Sequence, residues 1–173
     1  MSFDILPAIT QDSQELATLV NSAYRGDSSR NGWTTEADLL DGSRTDAIAI
    51  EEALLTPKIA ILKYVEDGKI LGCVELRNMD EKLYLGMLTV QPNTQGKGIG
   101  KAMLRAAERE ANRQNCKSIF MTVISVRQEL IDWYIRHGYS FTGERKPFLN
   151  KEVRFGLPKK TLEFVVLEKK ILG

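Results

Sequence analysis

Apolar positions along the chain follow two rhythms. FDILPAI reads as a short strand. Leu16, Leu19, Val20, Ala23 and Tyr24 then recur at helical spacing, behind Asp12 and Glu15, whose separation reads as a capping box. RGDSSRNG is polar and reads as a loop. Thr35 with Asp38 predicts a further capped helix, broken at DGSR. Thr45 predicts the cap of another helix that runs through Leu55 and stops at Pro57. From there the rhythm changes. KIAILKYVE, KILGCVELR and KLYLGMLTV are rich in β-branched, aromatic and apolar residues, and DGK and NMDEK between them are turn chemistry, so the pattern predicts an antiparallel meander.

Helical spacing returns at Ile99, Met103, Ala106, Ala107 and Ala111. KSIFMTVI reads as a strand, and RQELIDWYIRHG as a helix ended by Gly138 at a C′ position. YSFTG and TLEFVVLEKKI close the chain as strands. ERKPFLNKEVRFGLPKK, between them, has no periodicity and two prolines, and reads as a long loop. The succession of strand, helices, three strands, helix, strand, helix and two strands predicts a mixed α/β sheet with helices packed against it.

Composition narrows the function classes. The 173 residues suit one domain, and 43% hydrophobic with 27% charged residues is the profile of a soluble globular protein. A formal net charge of +1 argues against a general nucleic-acid or membrane-surface binder, which needs a basic excess. Cys73 and Cys116 match no metal or redox spacing and read as reduced, buried thiols, so no metal site is expected. MSFDILPAIT lacks a basic stretch followed by an apolar core, and no apolar run approaches a membrane span. A cytoplasmic protein is the expectation.

The stretch VQPNTQGKGIGKAMLRAAERE carries the chemistry. Three glycines in five positions bare the backbone just before a helix, as an anion on a helix N-terminus requires. A P-loop would need glycine where Gln95 stands and a hydroxyl where Ala102 stands. A dinucleotide fingerprint would need glycine where Lys101 stands. The remaining pattern is Q-x-x-G-x-G, from Gln95, Gly98 and Gly100, with Lys97, Lys101 and Arg105 adding cations at the same end.

That pattern resembles the coenzyme A pyrophosphate loop of the GNAT superfamily of N-acetyltransferases. WYIRHGY, with Trp133, Tyr134, Gly138 and Tyr139, resembles the family's second motif, aromatic-Tyr-x-x-x-Gly-aromatic. One helix and one strand separate the two, and YLGMLTV directly precedes the loop, as in the family. The resemblance covers residues 1–173, taken as a single GNAT-like domain, with its specific motifs between 83 and 139. It implies a mixed, mainly antiparallel sheet of about seven strands with helices on both faces.

It also implies acetyl-CoA as acetyl donor and direct transfer to a primary amine of a small molecule or peptide. By position, Leu88, Thr89 and Val90 would pair with the pantetheine arm, and Gln95, Gly96, Lys97, Gly98, Ile99, Gly100 and Lys101 would hold the pyrophosphate. Tyr134 matches the family's general acid, and a phenol with a pKa of about 10 can donate at neutral pH. Many relatives carry a carboxylate near the position of Tyr84. Here the nearest in that stretch is Glu81, in a turn, whereas Glu75 on the neighbouring strand would face the cleft if Val74 and Leu76 face away. Arg127 stands where relatives often have an asparagine touching pantetheine, and would contact the cofactor differently or bind an acidic substrate group. His137, at a helix end, reads as a dipole partner.

The acceptor would lie where the first helices and the last loop meet. Tyr24, Arg25, Arg30, Trp33 and Glu36 come from the first segment, and Arg145, Phe148, Arg154 and Phe155 from the second. Aromatics with several arginines suit an amine that carries a carboxylate. No acidic cluster of the kind a polyamine site needs is evident, although Asp38, Asp41 and Asp46 are close in sequence. Monomer and homodimer both stay open. A non-catalytic acyl-CoA sensor is the alternative reading, because the base is not fixed by the motif.

Overall fold

A computed structural model describes residues 2–24, 40–41, 44–94, 96–147, 157–158 and 162–171. Seven strands form one sheet: β1 (Asp4–Pro7), β3 (Ile59–Glu66), β4 (Lys69–Met79), β5 (Lys82–Val90), β6 (Ser118–Ile124), β7 (Ser140–Pro147) and β9 (Glu163–Lys170). Their order is β1-β3-β4-β5-β6-β9-β7. Short strands β2 (Leu40–Asp41) and β8 (Leu157–Pro158) pair separately. The helices are α1 (Ser13–Tyr24), α2 (Ala47–Leu54), α3 (Ile99–Arg113) and α4 (Gln128–Arg136). The expected sheet, with its predominantly antiparallel pairing, is therefore present.

Strand alternation divides the core in two. Val74 and Leu76 of β4, Leu83 and Leu85 of β5, and Met121 of β6 pack with Met103 and Ala107 of α3 and Ile131 of α4. On the opposite face, Ile61 of β3 and Cys73 of β4 pack with Leu16 and Val20 of α1 and Ile50 of α2. Helices thus cover both faces. The meander is closed by the turn the DGK triplet predicts, with Asp67 and Gly68 both at positive φ.

One pairing differs from all the others in the sheet. β5 and β6 run parallel and are in register only at Lys82–Ser118, Leu83–Ile119 and Tyr84–Phe120. Beyond Tyr84 the two strands part. A bulge in the β4–β5 ladder falls at the same level, with Met87 in the left-handed region at φ 53°. The extra residue bends β5 away from β6 and turns Leu88 and Val90 into the α3 core.

Local boundaries differ from the pattern at three places. Asp12 ends a 3₁₀ turn and accepts from the Ile9 amide at 2.9 Å and from Lys63 Nζ at 2.8 Å, while Glu15 accepts from the Ile70 amide. The expected box is thus replaced by bonds that tie α1 to the sheet. Asp46, not Thr45, caps α2 by accepting from the Ala49 amide at 2.8 Å. Thr45 cannot move into that role, because its backbone is held by Asn21 of α1 on both its N–H (3.1 Å) and its C=O (2.9 Å). Finally, ERKP continues β7 to Pro147 as an edge strand against β9. The helix expected from Thr35 and Asp38 lies outside the described residues.

Both thiols are free and buried, as expected. Burial pushes the Cys73 thiol up to about 12; Glu75 adds to this, while a Thr89 hydrogen bond and Arg44 oppose it. The unfolded thiol ionises first as pH rises, so this contribution to stability is complete below about pH 9 and is lost towards pH 12. Chemical denaturation should therefore show stability falling through this window, and Cys73→Ala should make the fall shallower. Equal slopes would place the alkaline sensitivity elsewhere.

Candidate active site

Three chambers lie around β5, the loop that follows it and the gap beside it. The first, of about 560 Å³, is lined by Val90, Gly96, Gly98, Ile99, Gly100 and Lys101 on one side and by Glu129, Asp132, Trp133, Arg136 and His137 of α4 on the other. Gly98 is the N-cap of α3, sits at φ 82°, and supplies no side-chain cap. No acidic residue occupies the first turn of α3. Its leading N–H groups and the positive end of its dipole are thus left for an external anion. A Cβ built on Gly96 or Gly98 meets nothing within 4 Å, whereas one on Gly100 comes within 3.1 Å of Trp133. The bareness at the first two positions leaves open space, and at the third it admits the indole.

The second chamber, of about 130 Å³, lies in the gap between β5 and β6. Leu85 to Leu88 and Met121 to Ile124 form its walls, with Tyr24, Arg127 and Tyr134 reaching in. The Tyr24 hydroxyl donates to the Leu88 carbonyl beside the bulge. The Gln91 amide donates to the Leu71 carbonyl at 2.9 Å, so antiparallel alternation aims the Val90 amide away from β4, towards the side β6 has left. Tyr134 is 5% exposed. Burial foremost, with Tyr24 and Tyr139 nearby, raises its pKa well above the ordinary phenol value, and Arg127 pulls it down. The phenol is therefore protonated across the physiological range.

The third chamber, of about 550 Å³, opens on the α1–α2 face and shares Arg44, Tyr84, Gly86, Met87 and Thr122 with the second. Glu75 lines it, opposite in direction to Val74 and Leu76, and accepts from Arg77 Nε at 3.2 Å. Tyr84 rests edge-on against Phe120 at 5.3 Å, and Gly86 leaves room for its ring, since a Cβ there would stand 2.9 Å from it.

The residues singled out in the sequence are distributed among these chambers. Val90, Gly96, Gly98, Ile99, Gly100 and Lys101 line the first chamber; Leu88, Arg127 and Tyr134 line the second; Glu75 lines the third. Lys97 is exposed on the loop. Thr89 is fully buried, and its hydroxyl donates to the Met87 carbonyl at 2.9 Å. Gln95 lies outside the described residues, as do Arg25, Arg30, Trp33, Glu36, Phe148, Arg154 and Phe155. His137 Nδ1 donates to the Trp133 carbonyl at 2.7 Å at the C-cap of α4, and the two rings lie 4.3 Å apart. The sequence reading missed Arg44, which comes from a segment read only as a helix breaker. It also missed the wall formed by Phe120 and Thr122, whose alternation signals a strand but not a cavity.

Fold and site define a class: an α/β protein whose sheet is parted between two parallel strands, with an uncapped helix N-terminus beyond the end of β5 and chambers beside the gap. The chain belongs to the GNAT acetyltransferase family, whose sequence profile matches residues 16–139. It is 34% identical over 92 residues to an amino-acid acetyltransferase of Ralstonia nicotianae, covering 51% of this chain and 20% of that protein. It is 32% identical over 68 residues to the spermine/spermidine N(1)-acetyltransferase of Bacillus subtilis, covering 39% of this chain and 45% of that protein. The chain thus matches less than half the length of either relative. Its fold is similar to that of PaiA N-acetyltransferase from Thermoplasma acidophilum in complex with coenzyme A, with a TM-score of 0.71, 17% identity, and coverage of 98% of this chain and 99% of that one.

Proposed function

We propose that this chain, acting as one domain over residues 1–173, transfers the acetyl group of acetyl-CoA to a primary amine of a small molecule or peptide. The observation that carries the reading is the arrangement around β5: an uncapped helix N-terminus follows it, a gap between parallel strands flanks it, and a polar chamber shares walls with that gap. The pyrophosphate lies on the N–H groups of Gly96 to Lys101, with Lys101 as a counter-charge and Gln95 and Lys97 completing the loop. Pantetheine runs along the edge of β5 that β6 has left, at Leu88 to Val90, in the manner of an added strand. This places the thioester in the middle chamber. The relatives named for amino-acid and spermine acetylation, and the neighbour holding coenzyme A, support the same donor and an amine acceptor.

The acceptor arrives as an ammonium ion. Glu75, directly or through a water, takes one proton and leaves a neutral amine. The nitrogen lone pair forms the N–C bond at the thioester carbonyl, and the π pair moves onto oxygen. Collapse breaks the C–S bond. Tyr134 donates its proton to the departing sulfur, and the nitrogen's second proton restores the phenol. Arg127, close enough to favour the ionised phenol, eases that donation. The net products are the acetamide, CoA thiol and one proton released from Glu75.

The proposed enzyme works in the cytoplasm as a monomer or homodimer; no helix of the described residues is long and apolar enough to cross a membrane. The test is release of CoA thiol from acetyl-CoA across a panel of primary amines, read with a thiol reagent. Amine-dependent release is expected. Calorimetric binding of acetyl-CoA without release for any amine would favour the sensor alternative.

A further inference from the structure

We propose that the acceptor is an anionic amine, one carrying a carboxylate or phosphate close to its nitrogen, and that Arg44 holds that group. The proposal rests on the acetyl-transfer reading and names its substrate class. Among the described residues lining the third chamber, three are cationic (Arg44, Arg77 and Lys146) and one, Glu75, is acidic. Glu75 is already engaged by Arg77 through Nε at 3.2 Å. A polyamine would enter a chamber of its own sign with no unengaged carboxylate among these residues to meet it, a mismatch that disfavours it.

Arg44 is placed to do more than set the sign. It lines both the third chamber and the gap between the strands, so it stands where the acceptor nitrogen must approach the thioester. Its backbone amide donates to Asn21 Oδ1 at 2.7 Å, and the next residue is held by the same side chain. Its guanidinium lies 5.7 Å from the centre of the Tyr24 ring, and Tyr24 is itself fixed to the Leu88 carbonyl. A guanidinium over an aromatic face keeps its N–H edges free for a planar, two-bond grip on a carboxylate or phosphate. Arg44 makes no ion pair among the described residues, whereas Arg77 and Lys146 face Glu75 and Glu144. Arg44 thus links the bulge to the acceptor chamber and, among the described residues lining it, is the cation left for a substrate.

The experiment compares kcat/KM for glycine, glutamate and phosphoethanolamine with that for glycinamide and spermidine, in wild type and in Arg44→Met. The acetyl-CoA Kd and thermal midpoint are measured on each preparation. At least one anionic amine should exceed glycinamide and spermidine by about 10-fold or more. Arg44→Met should remove about 10- to 100-fold of that advantage, mainly through KM, the range expected for losing a charged hydrogen bond. Its acetyl-CoA Kd should be unchanged, and Arg44→Lys should restore part of the loss. Carboxylate or phosphate preference identifies which anion the site takes. Preference for spermidine or glycinamide, or an equal loss for every amine in Arg44→Met, overturns the proposal while leaving acetyl transfer standing. No turnover with any amine, despite acetyl-CoA binding, overturns both.

Discussion

Gly98→Glu should weaken acetyl-CoA binding at least about 100-fold, roughly 2.7 kcal/mol, as measured by calorimetric titration. Two effects act together. Gly98 sits at φ 82°, where a side-chain-bearing residue costs on the order of 1–3 kcal/mol. The new carboxylate then projects into the chamber at the helix N-terminus, where it would itself occupy the cradle and repel a pyrophosphate. A Cβ at this position touches nothing within 4 Å, so the variant should fold. Its thermal midpoint should drop by only a few degrees, because the backbone strain is local. Gly98→Ala separates the two causes, since it carries the strain without the charge and should lose far less affinity. Wild-type affinity in Gly98→Glu would mean that the loop is a structural turn and that the pyrophosphate, if bound, lies elsewhere.

Tyr134→Phe should lower kcat by about 100-fold or more while leaving the acetyl-CoA Kd within a factor of about two. The substitution removes one oxygen and keeps the ring in place between Trp133 (5.2 Å) and Tyr139 (5.8 Å), so the chamber retains its shape. What is lost is the proton for the departing sulfur. The pH profile supplies an independent readout. Burial holds the Tyr134 pKa well above its ordinary value of 10.0, so the wild-type rate should not decline on the alkaline side below about pH 10. A descending limb near neutrality that persists in Tyr134→Phe would belong to another group, and an unchanged kcat in the variant would exclude Tyr134 as the donor. Neither result would touch the assignment of the family.

Much of the architecture was legible because local and global preferences agree. The three central strands are apolar and β-branched, and Asp67–Gly68 supplies the positive-φ turn that a tight hairpin needs. Gly138 ends α4 at φ 98°. The glycine loop and the Tyr134 motif were visible because Gly96, Gly98 and Gly138 take positive φ, a local backbone need that the sequence displays directly. Other features depend on contacts that sequence spacing does not carry. Asp46 replaces Thr45 as cap because Asn21, from another helix, already holds Thr45. Asp12 turns back to Ile9 and Lys63 because β3, distant in sequence, supplies a cation there. The bulge falls on Met87, an unbranched residue with no turn signature, so nothing local announces it. The separation of β5 from β6 is invisible in either strand alone, since both read as ordinary buried strands throughout. Arg44 escaped notice for the same reason: its role comes from the tyrosine beneath it.

The brief parallel pairing has a mechanical consequence. Four strands on one side of the seam and three on the other are joined within the sheet by only three residue positions, all at one end. The sheet is in effect two leaves on a hinge, and a donor lying along β5 where β6 has parted from it would act as the splint between them. Occupancy would then tighten the whole molecule and not merely its surface, because a ligand held only by the closed arrangement adds its binding free energy to the cohesion of both leaves. Amides of β6 beyond Phe120, far along the chain from the glycine loop, should therefore exchange with solvent more slowly when the donor is present.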